Sequence, residues 1–272
     1  MKVPNPVKNI TIALLAVLVS APSTVPATTL PFRPGLSIVS LNLAKETSTE
    51  RILSEFRGVQ ALRDADVFLL QEVSQGLTGT CVASSLGSAL GLHVAYSPAP
   101  SDPGLGLAIL SRFPLRDVQI RNLKPYNLRF RTRTRFALMA TADTPWGPLH
   151  LSDTHLDTRL NTADRLAQLE PVVRDSAAFP GSRVIAGDFN SNPFYWFKHV
   201  LPLPAVRSQA HGVNEFMKHN GFRSAFSKVA TTFDYLGMGL DWIWLDGVHP
   251  VASRAFPLDF SDHHAVWTRV EF

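Results

Sequence analysis

In the stretch AGDFNSNP, residues 186–193, Asp188 and Asn190 stand two apart just after the β-branched pair Val184 and Ile185. An extended chain has a side-chain period of two, so both are expected on one side. One is a carboxylate that can take up a proton, the other an amide that can donate to an anionic oxygen. Further polar residues share this setting beside apolar runs of strand length. They are Asn42 in LSIVSLNL, Glu72 in VFLLQEV, His155 after PLHLSD, Asp241 in LDWIWL, and Asp262 with His263 before AVWTRVE. A lone Asp or His at a strand end is usually a solvated loop residue. Six strand ends, each with a metal ligand, a proton carrier or an anion donor, point to one shared site. Strands of a sandwich that end together bring their terminal residues to a single rim. Glu72 makes the sharpest case: its run is hydrophobic on both faces, and a buried carboxylate is costly unless paired or metal-bound.

The elements that must position these residues alternate between short strands and helices. Strands are expected at 36–43, 67–73, 93–96, 105–111 and 118–123, then at 128–141, 148–153, 184–185, 240–245, 249–252 and 265–271. Helical spacing marks 48–63, with Thr49 or Ser48 as N-cap, then 81–90, then 161–178 with an interruption at Pro171. Residues 193–201 and 213–219 also read as helices. In 128–141, Arg129, Arg131, Arg133 and Arg135 alternate with Phe130, Thr132, Thr134 and Phe136. A strand would set four guanidinium groups on one face. Such a face either protects a sheet edge or meets phosphates or lipid headgroups.

Composition bounds the rest. A chain of 272 residues with 45% hydrophobic content can bury a sizeable core, and one domain is expected. Twenty prolines and sixteen glycines favour many turns over long helices. With 26 basic and 22 acidic residues the formal charge is +4, and it falls to +2 without Lys2 and Lys8, too mild to argue for nucleic acid by itself. Lys2 and Lys8 precede an apolar run from Ile10 to Val19, with small residues following to Ala27. That pattern matches a secretory leader over 1–27, cleaved after Ala27 and followed by a linker at 28–35. The run stops short of the roughly 20 apolar residues a membrane span needs; an uncleaved membrane anchor is the alternative. Cys81 is the single cysteine, so no internal disulfide forms, and it reads as a small buried hydrophobe. Export to the periplasm or outside is the expectation.

The order LNLA, LLQEV, THLD, GDFNSNP, LDWIW and SDHHAV resembles the endonuclease/exonuclease/phosphatase superfamily, from about residue 36 to 272. GLAILSRFPL and the pair Arg165 and Gln168 resemble the family's connecting sequence. The resemblance implies a four-layer α/β sandwich, two packed mixed β-sheets flanked by helices. It makes Glu72 the main metal carboxylate, with Asn42 orienting it or binding the metal through water, and Asp262 a second carboxylate. It places His263 beside the scissile phosphate, with Asp241 fixing its tautomer. Asp188 would orient or deprotonate the attacking water, and Asn190 and His155 would hold phosphoryl oxygens; His264 would be structural or touch substrate. Hydrolysis of an anionic ester needs a cation on its oxygens and a positioned water. Oxygen ligands without a thiolate suit Mg2+ or Mn2+ better than zinc. The histidine–carboxylate pair follows hydrolase-triad logic without a Ser or Cys nucleophile, so water is expected to attack directly.

The expected activity is thus a metal-dependent phosphodiester hydrolase, nuclease-like, acting as a monomer. A phospholipid or sphingolipid phosphodiesterase of the same fold is the alternative, favoured by export and by Phe194, Tyr195 and Trp196. For that aromatic run, core packing outweighs membrane insertion. Arg129, Arg131 and Arg133 are the expected substrate-phosphate contacts, and Tyr126 or Trp196 could stack on bases. A non-catalytic binding module on this scaffold, or a metal-independent hydrolase using Cys81 or a serine, is disfavoured because every motif position is filled.

Overall fold

The computed structural model describes residues 18–20, 35–74, 80–100, 102–126 and 134–272. In chain order, β1 (Leu18–Ser20) and β2 (Leu36–Asn42) precede α1 (Thr49–Gly58) and α2 (Gln60–Arg63). Next come β3 (Val67–Ser74), α3 (Val82–Leu90), β4 (His93–Ala99), β5 (Asp102–Ser111) and β6 (Leu115–Asn122). β7 (Phe136–Thr144), β8 (Gly147–His155), α4 (Thr162–Ala177) and β9 (Ser182–Asp188) lead into the hairpin of β10 (Phe194–Phe197) and β11 (Leu201–Pro204). Last are α5 (Gln209–His219), β12 (Arg223–Ser224), β13 (Asp241–Asp246), β14 (His249–Phe256) and β15 (Ala265–Glu271). Most of the expected leader, and Arg129, Arg131 and Arg133, lie outside the described residues.

Two mixed sheets result, ordered β1-β4-β5-β3-β2-β15-β14 and β12-β13-β9-β8-β7-β6. Strand alternation sorts their side chains into separate layers. Ile38, Leu69 and Ile109 of the first sheet meet Leu138, Leu151, Val184 and Ile243 of the second in a central core. The next residue along each strand points outward. Val39, Leu70 and Leu110 pack against Ile52, Phe56 and Leu86 of the α1 and α3 layer. Ile185 and Trp244 pack against Leu169, Val172, Val213 and Met217 of α4 and α5. The fold is the expected four-layer α/β sandwich. No helix among the described residues is long and apolar enough to cross a membrane.

Local signals hold at several ends. Ser48 caps α1, its hydroxyl accepting from the Arg51 N–H at 3.2 Å, and the expected 48–63 helix breaks at the extended Val59. Two further expectations fail. The helix α4 runs straight through Pro171. Proline in a helix costs about 3 kcal/mol, but Leu169, Val172 and Val173 are buried around it. Each such side chain contributes about 1.5–3 kcal/mol, which outweighs the break. The expected helix at 193–201 is a β-hairpin instead, with Phe197 opposite Leu201 and Tyr195 opposite Leu203. Its aromatic FYWF run favours an extended chain. Lys198 and His199, at φ 51° and 57°, take the left-handed backbone that reverses it.

Candidate active site

The sheet pairings explain why the strand ends converge. β2 and β3 run parallel, with Asn42 opposite Gln71, so Asn42 and Glu72 arrive at the same edge. β8 and β9 are also parallel and set His155 opposite Asp188. β13 runs antiparallel to β9, so its first residue, Asp241, meets β9's last, Asp188. β15 runs antiparallel to β2, which brings the residues preceding it, Asp262 and His263, to the same edge. A cavity of about 610 Å³ opens there. Asn42, Glu72, His155, Asp188, Asn190, Asp262 and His263 all line it, whereas Asp241 stands behind His263.

Asp188 is the hub. Its Oδ2 accepts from Asn42 Nδ2 at 3.2 Å and lies 3.3 Å from His155 Nε2 and 3.8 Å from His263 Nε2. Its Oδ1 accepts the Asn190 N–H at 2.9 Å. Asn190 therefore reaches the same side as Asp188 through a tight turn at φ 50°, not through the pleat of a strand. His263 Nδ1 contacts Asp241 Oδ2 at 2.8 Å, which leaves Nε2 as the atom on the cavity side. Burial pushes the Asp188 carboxyl up to about 6, with His263 opposing and Asp241 reinforcing the rise. Burial would lower the His263 pKa, but Asp241 and then Asp188 overcome it and raise it to about 10. At neutral pH the ring is a cation that donates from Nε2 while Asp241 fixes Nδ1.

Backbone irregularities aim two of these groups. Glu72 sits at φ 50° where the pairing of β3 with β5 slips between Leu70 and Val73. This bulge turns its carboxylate out of the strand's pleat and into the cavity wall. Gly187 has φ 141°, and a Cβ there would lie 1.8 Å from the Thr154 carbonyl oxygen. Only glycine allows β8 and β9 to approach so closely beside His155 and Asp188.

The donors fit a hard divalent cation. Glu72, Asn42 and Asp262 offer oxygen atoms on the cavity wall, with no thiolate among the lining residues. Asn42 is also tied into the acid–base cluster, since its Oδ1 accepts the Ala44 N–H at 2.9 Å while Nδ2 holds Asp188. Ligand atoms of Asp188, Asp241 and His263 lie within 4.8 Å of one another, close enough to share an ion. An ion bridging His263 and Asp241 would have to break their 2.8 Å bond. The glutamate side is the better seat.

Behind the site, sequence reasoning missed Asp157. It lines the cavity two residues past His155, and the period of two was the available signal. Its carboxylate accepts from Arg135 Nε at 3.1 Å and from Gln168 Nε2 at 2.7 Å. Arg135, one of the alternating arginines, therefore precedes β7 and pairs with Asp157 instead of extending a strand face. Arg165 is fully buried; its guanidinium donates to the carbonyls of Asp157, Phe189 and Leu160 at 2.8, 2.7 and 3.1 Å. It also bonds Gln209 Oε1 at 2.6 Å, joining α5 to the turn that carries Asn190. Burial lowers its pKa to about 9. His264 is absent from the cavity lining, and its Nε2 contacts Asp234 at 2.9 Å. Cys81 is half-buried at the start of α3, with its thiol pKa raised by burial.

Two facing mixed sheets, helices outside and one polar rim define a four-layer sandwich of the hydrolase type. The chain belongs to the Endonuclease/Exonuclease/phosphatase family, whose model matches residues 39–263. Members of this family are phosphoester hydrolases that depend on a divalent metal. No curated protein matches the chain. Solved structures share the fold at low identity. The endonuclease/exonuclease/phosphatase from Beutenbergia cavernae DSM 12333 is 17% identical, with TM-score 0.70 over 88% of this chain and 72% of that one. The human Nocturnin catalytic domain with bound sulfate anion is 20% identical, with TM-score 0.64 over 88% and 94%. D. rerio TDP2 complexed with single strand DNA product is 19% identical, with TM-score 0.61 over 87% and 99%.

Proposed function

We propose that this chain hydrolyses a phosphodiester by direct attack of water, using Mg2+ or Mn2+, after export from the cell. The observation that carries the reading is the Asp188, His263 and Asp241 assembly, with Nδ1 locked at 2.8 Å and Nε2 turned to the cavity. A divalent cation held by Glu72 and Asp262, with Asn42 alongside, would neutralise charge on the phosphoryl oxygens.

The chain's own groups do the rest. Asp188 orients a water and takes its proton as the oxygen adds to phosphorus. Charged His263 donates from Nε2 to a phosphoryl oxygen whose charge grows as the water oxygen adds, Asp241 stabilises that cation, and the ester oxygen leaves as an alkoxide that takes a proton from solvent. One amide hydrogen of Asn190 is held by the Leu156 carbonyl at 2.9 Å, so at most one reaches the substrate. His155, 3.3 Å from Asp188, is the second donor for a phosphoryl oxygen.

Hydrolysis of bis(p-nitrophenyl) phosphate by the purified protein with Mg2+ tests this. Chelation should abolish turnover, and Asp188→Ala or His263→Ala should lower it by about 10²–10⁴-fold, the range for a proton-transfer group. Full rates in excess chelator, or in either variant, would contradict the mechanism.

DNA and phospholipid headgroups both carry the required ester. A nuclease reading is supported by relatives such as TDP2, whose solved complex holds a single strand DNA product, and by the arginines of 129–133. Exposed apolar residues beside the cavity favour the phospholipid. Export rests on the basic, then apolar, then small-residue order of residues 1–27; detection of the mature chain only in the cytoplasm would refute it.

A further inference from the structure

We propose that the two lips of the catalytic cavity form a docking surface for a bilayer containing anionic phospholipid, presenting the cavity mouth to the headgroups. The inference builds on the phosphodiesterase reading and narrows its substrate to lipid.

Apolar surface is left in water beside the cavity. Among the described residues, eleven large hydrophobic side chains are exposed. Six of them, Tyr195, Phe197, Val200, Leu201, Leu203 and Val206, belong to the β10–β11 hairpin and its exit. Three more, Val229, Tyr235 and Leu236, belong to the loop before β13. Both segments also build the cavity wall, the first through Phe194 and Trp196 and the second through Phe233 and Met238. Such a concentration in two short segments marks an interaction surface, since scattered single residues would be ordinary.

The hairpin is built with two distinct faces. Strand alternation sends Phe194 and Trp196 to the cavity and leaves Tyr195 and Phe197 about half exposed, at 49% and 48%. The register places Leu203 opposite Tyr195 and Leu201 opposite Phe197, so the outward side is a continuous aromatic and aliphatic patch. A two-stranded hairpin is marginal alone. This one is tied down by Asn161, which bonds the Trp196 N–H at 2.7 Å and its carbonyl at 3.1 Å. These bonds anchor the edge of the hairpin's first strand and fix which face points outward.

Charge selects the partner. No Asp or Glu lies between Asp188 and Glu215, while Lys198 and Arg207 lie at the hairpin's turn and exit. Lys198 Nζ lies 5.4 Å from the Phe197 ring centre, so a cation stands at the apolar patch, where it can meet a lipid phosphate. In the loop before β13 the one acid, Asp234, is paired with His264. Single-stranded nucleic acid fits less well, because Val200, Leu201, Leu203 and Val206 have no ring on which a base could stack. Beside the hairpin a groove of about 420 Å³, walled by Phe194, Tyr195, Leu203 and Val206 with the polar Arg207 and Gln209, shares Phe194 with the catalytic cavity. Its apolar wall suits an acyl chain whose phosphodiester sits in the neighbouring cavity.

Vesicle co-sedimentation of the full chain decides the matter, with phosphatidylcholine alone or mixed with phosphatidylglycerol. We expect binding that phosphatidylglycerol strengthens and salt weakens. Phe197→Ser with Leu201→Ser should weaken it by at least about tenfold, given the apolar area removed. Lys198→Glu should abolish the preference for phosphatidylglycerol. Both variants should hydrolyse bis(p-nitrophenyl) phosphate at the parent rate. The leader is common to all three proteins, so differences among them report the lips alone. Absence of binding, or equal binding by the parent and the double variant, overturns the proposal. So does a dimer, or tight single-stranded DNA binding, that the double variant abolishes. If the parent fails to cleave the soluble ester, the catalytic reading falls while vesicle binding still decides the surface.

Discussion

Replacing Asp241 by Asn tests the electrostatics of the site, because it removes a charge and keeps the shape. Burial lowers the His263 pKa, and the carboxylates of Asp241 and Asp188 more than reverse that, to about 10. Burial also raises Asp188 to about 6, with Asp241 adding to the rise. Turnover that needs Asp188 ionised and His263 charged should climb through about 6 and fall through about 10. An opposite charge in contact is worth about 1–3 pH units. Loss of Asp241 should therefore bring the alkaline limb down by about that much. It also removes a like charge near Asp188, so the acid limb moves down as well. Both limbs of the bell should shift toward acid together, with a lowered plateau. A general folding defect would lower the plateau and leave the limbs in place. Initial rates on bis(p-nitrophenyl) phosphate across the bell, at saturating Mg2+, provide the assay. An unmoved alkaline limb, or one displaced upward, would refute the assignment.

Three further outcomes are expected. Asp153 is buried between the sheets, where Gln71 Nε2 donates to its Oδ1 at 2.6 Å while Asp153 Oδ2 and Gln71 Oε1 lack partners among the described residues. Burial raises its pKa well above 3.8, so the folded chain keeps a proton that the unfolded chain releases, and stability falls as pH rises above about 4. Asp153→Asn supplies the missing donor without the charge; its stability relative to the parent should grow with pH by up to about 1.4 kcal/mol per unit in urea titrations, and parallel curves would exclude this. Gly187→Ala adds a Cβ 1.8 Å from the Thr154 oxygen; beyond the roughly 1–3 kcal/mol of backbone strain the strands must part, lowering the melting temperature and the activity together. Glu72→Gln should leave folding intact and raise the Mg2+ concentration needed for half-maximal rate by about tenfold or more, as a lost ligand charge predicts; an unchanged metal titration would remove Glu72 from the metal site.

Much of the fold was legible because alternation and helical spacing are local. Val184 and Ile185 announce opposite faces of one strand, and the structure sends them to different layers. The rim residues were legible as polar interruptions of apolar runs. The hairpin at 194–204 was not, since four aromatic residues in a row carry no period and its reversal relies on Lys198 and His199 in a left-handed conformation that their types do not advertise. Pro171 misled for the opposite reason: a strong local signal lost to packing around it.

Sequence alone determined which chemistry this protein can assemble: oxygen donors for a hard cation, a carboxylate and an amide in GDFN, a histidine beside an acid in SDHH. It also determined the layers, because side-chain period is a property of the local backbone. Only the tertiary structure decided which groups act on one another. Asp188 meets His263, Asp241, Asn42 and His155 through pairings between strands far apart in the chain, and burial at that meeting point moves their proton affinities. It alone showed Arg135 engaged with Asp157 and the apolar lips turned outward beside the cavity. Contacts of that kind depend on where whole strands lie, and no short stretch of sequence contains that information.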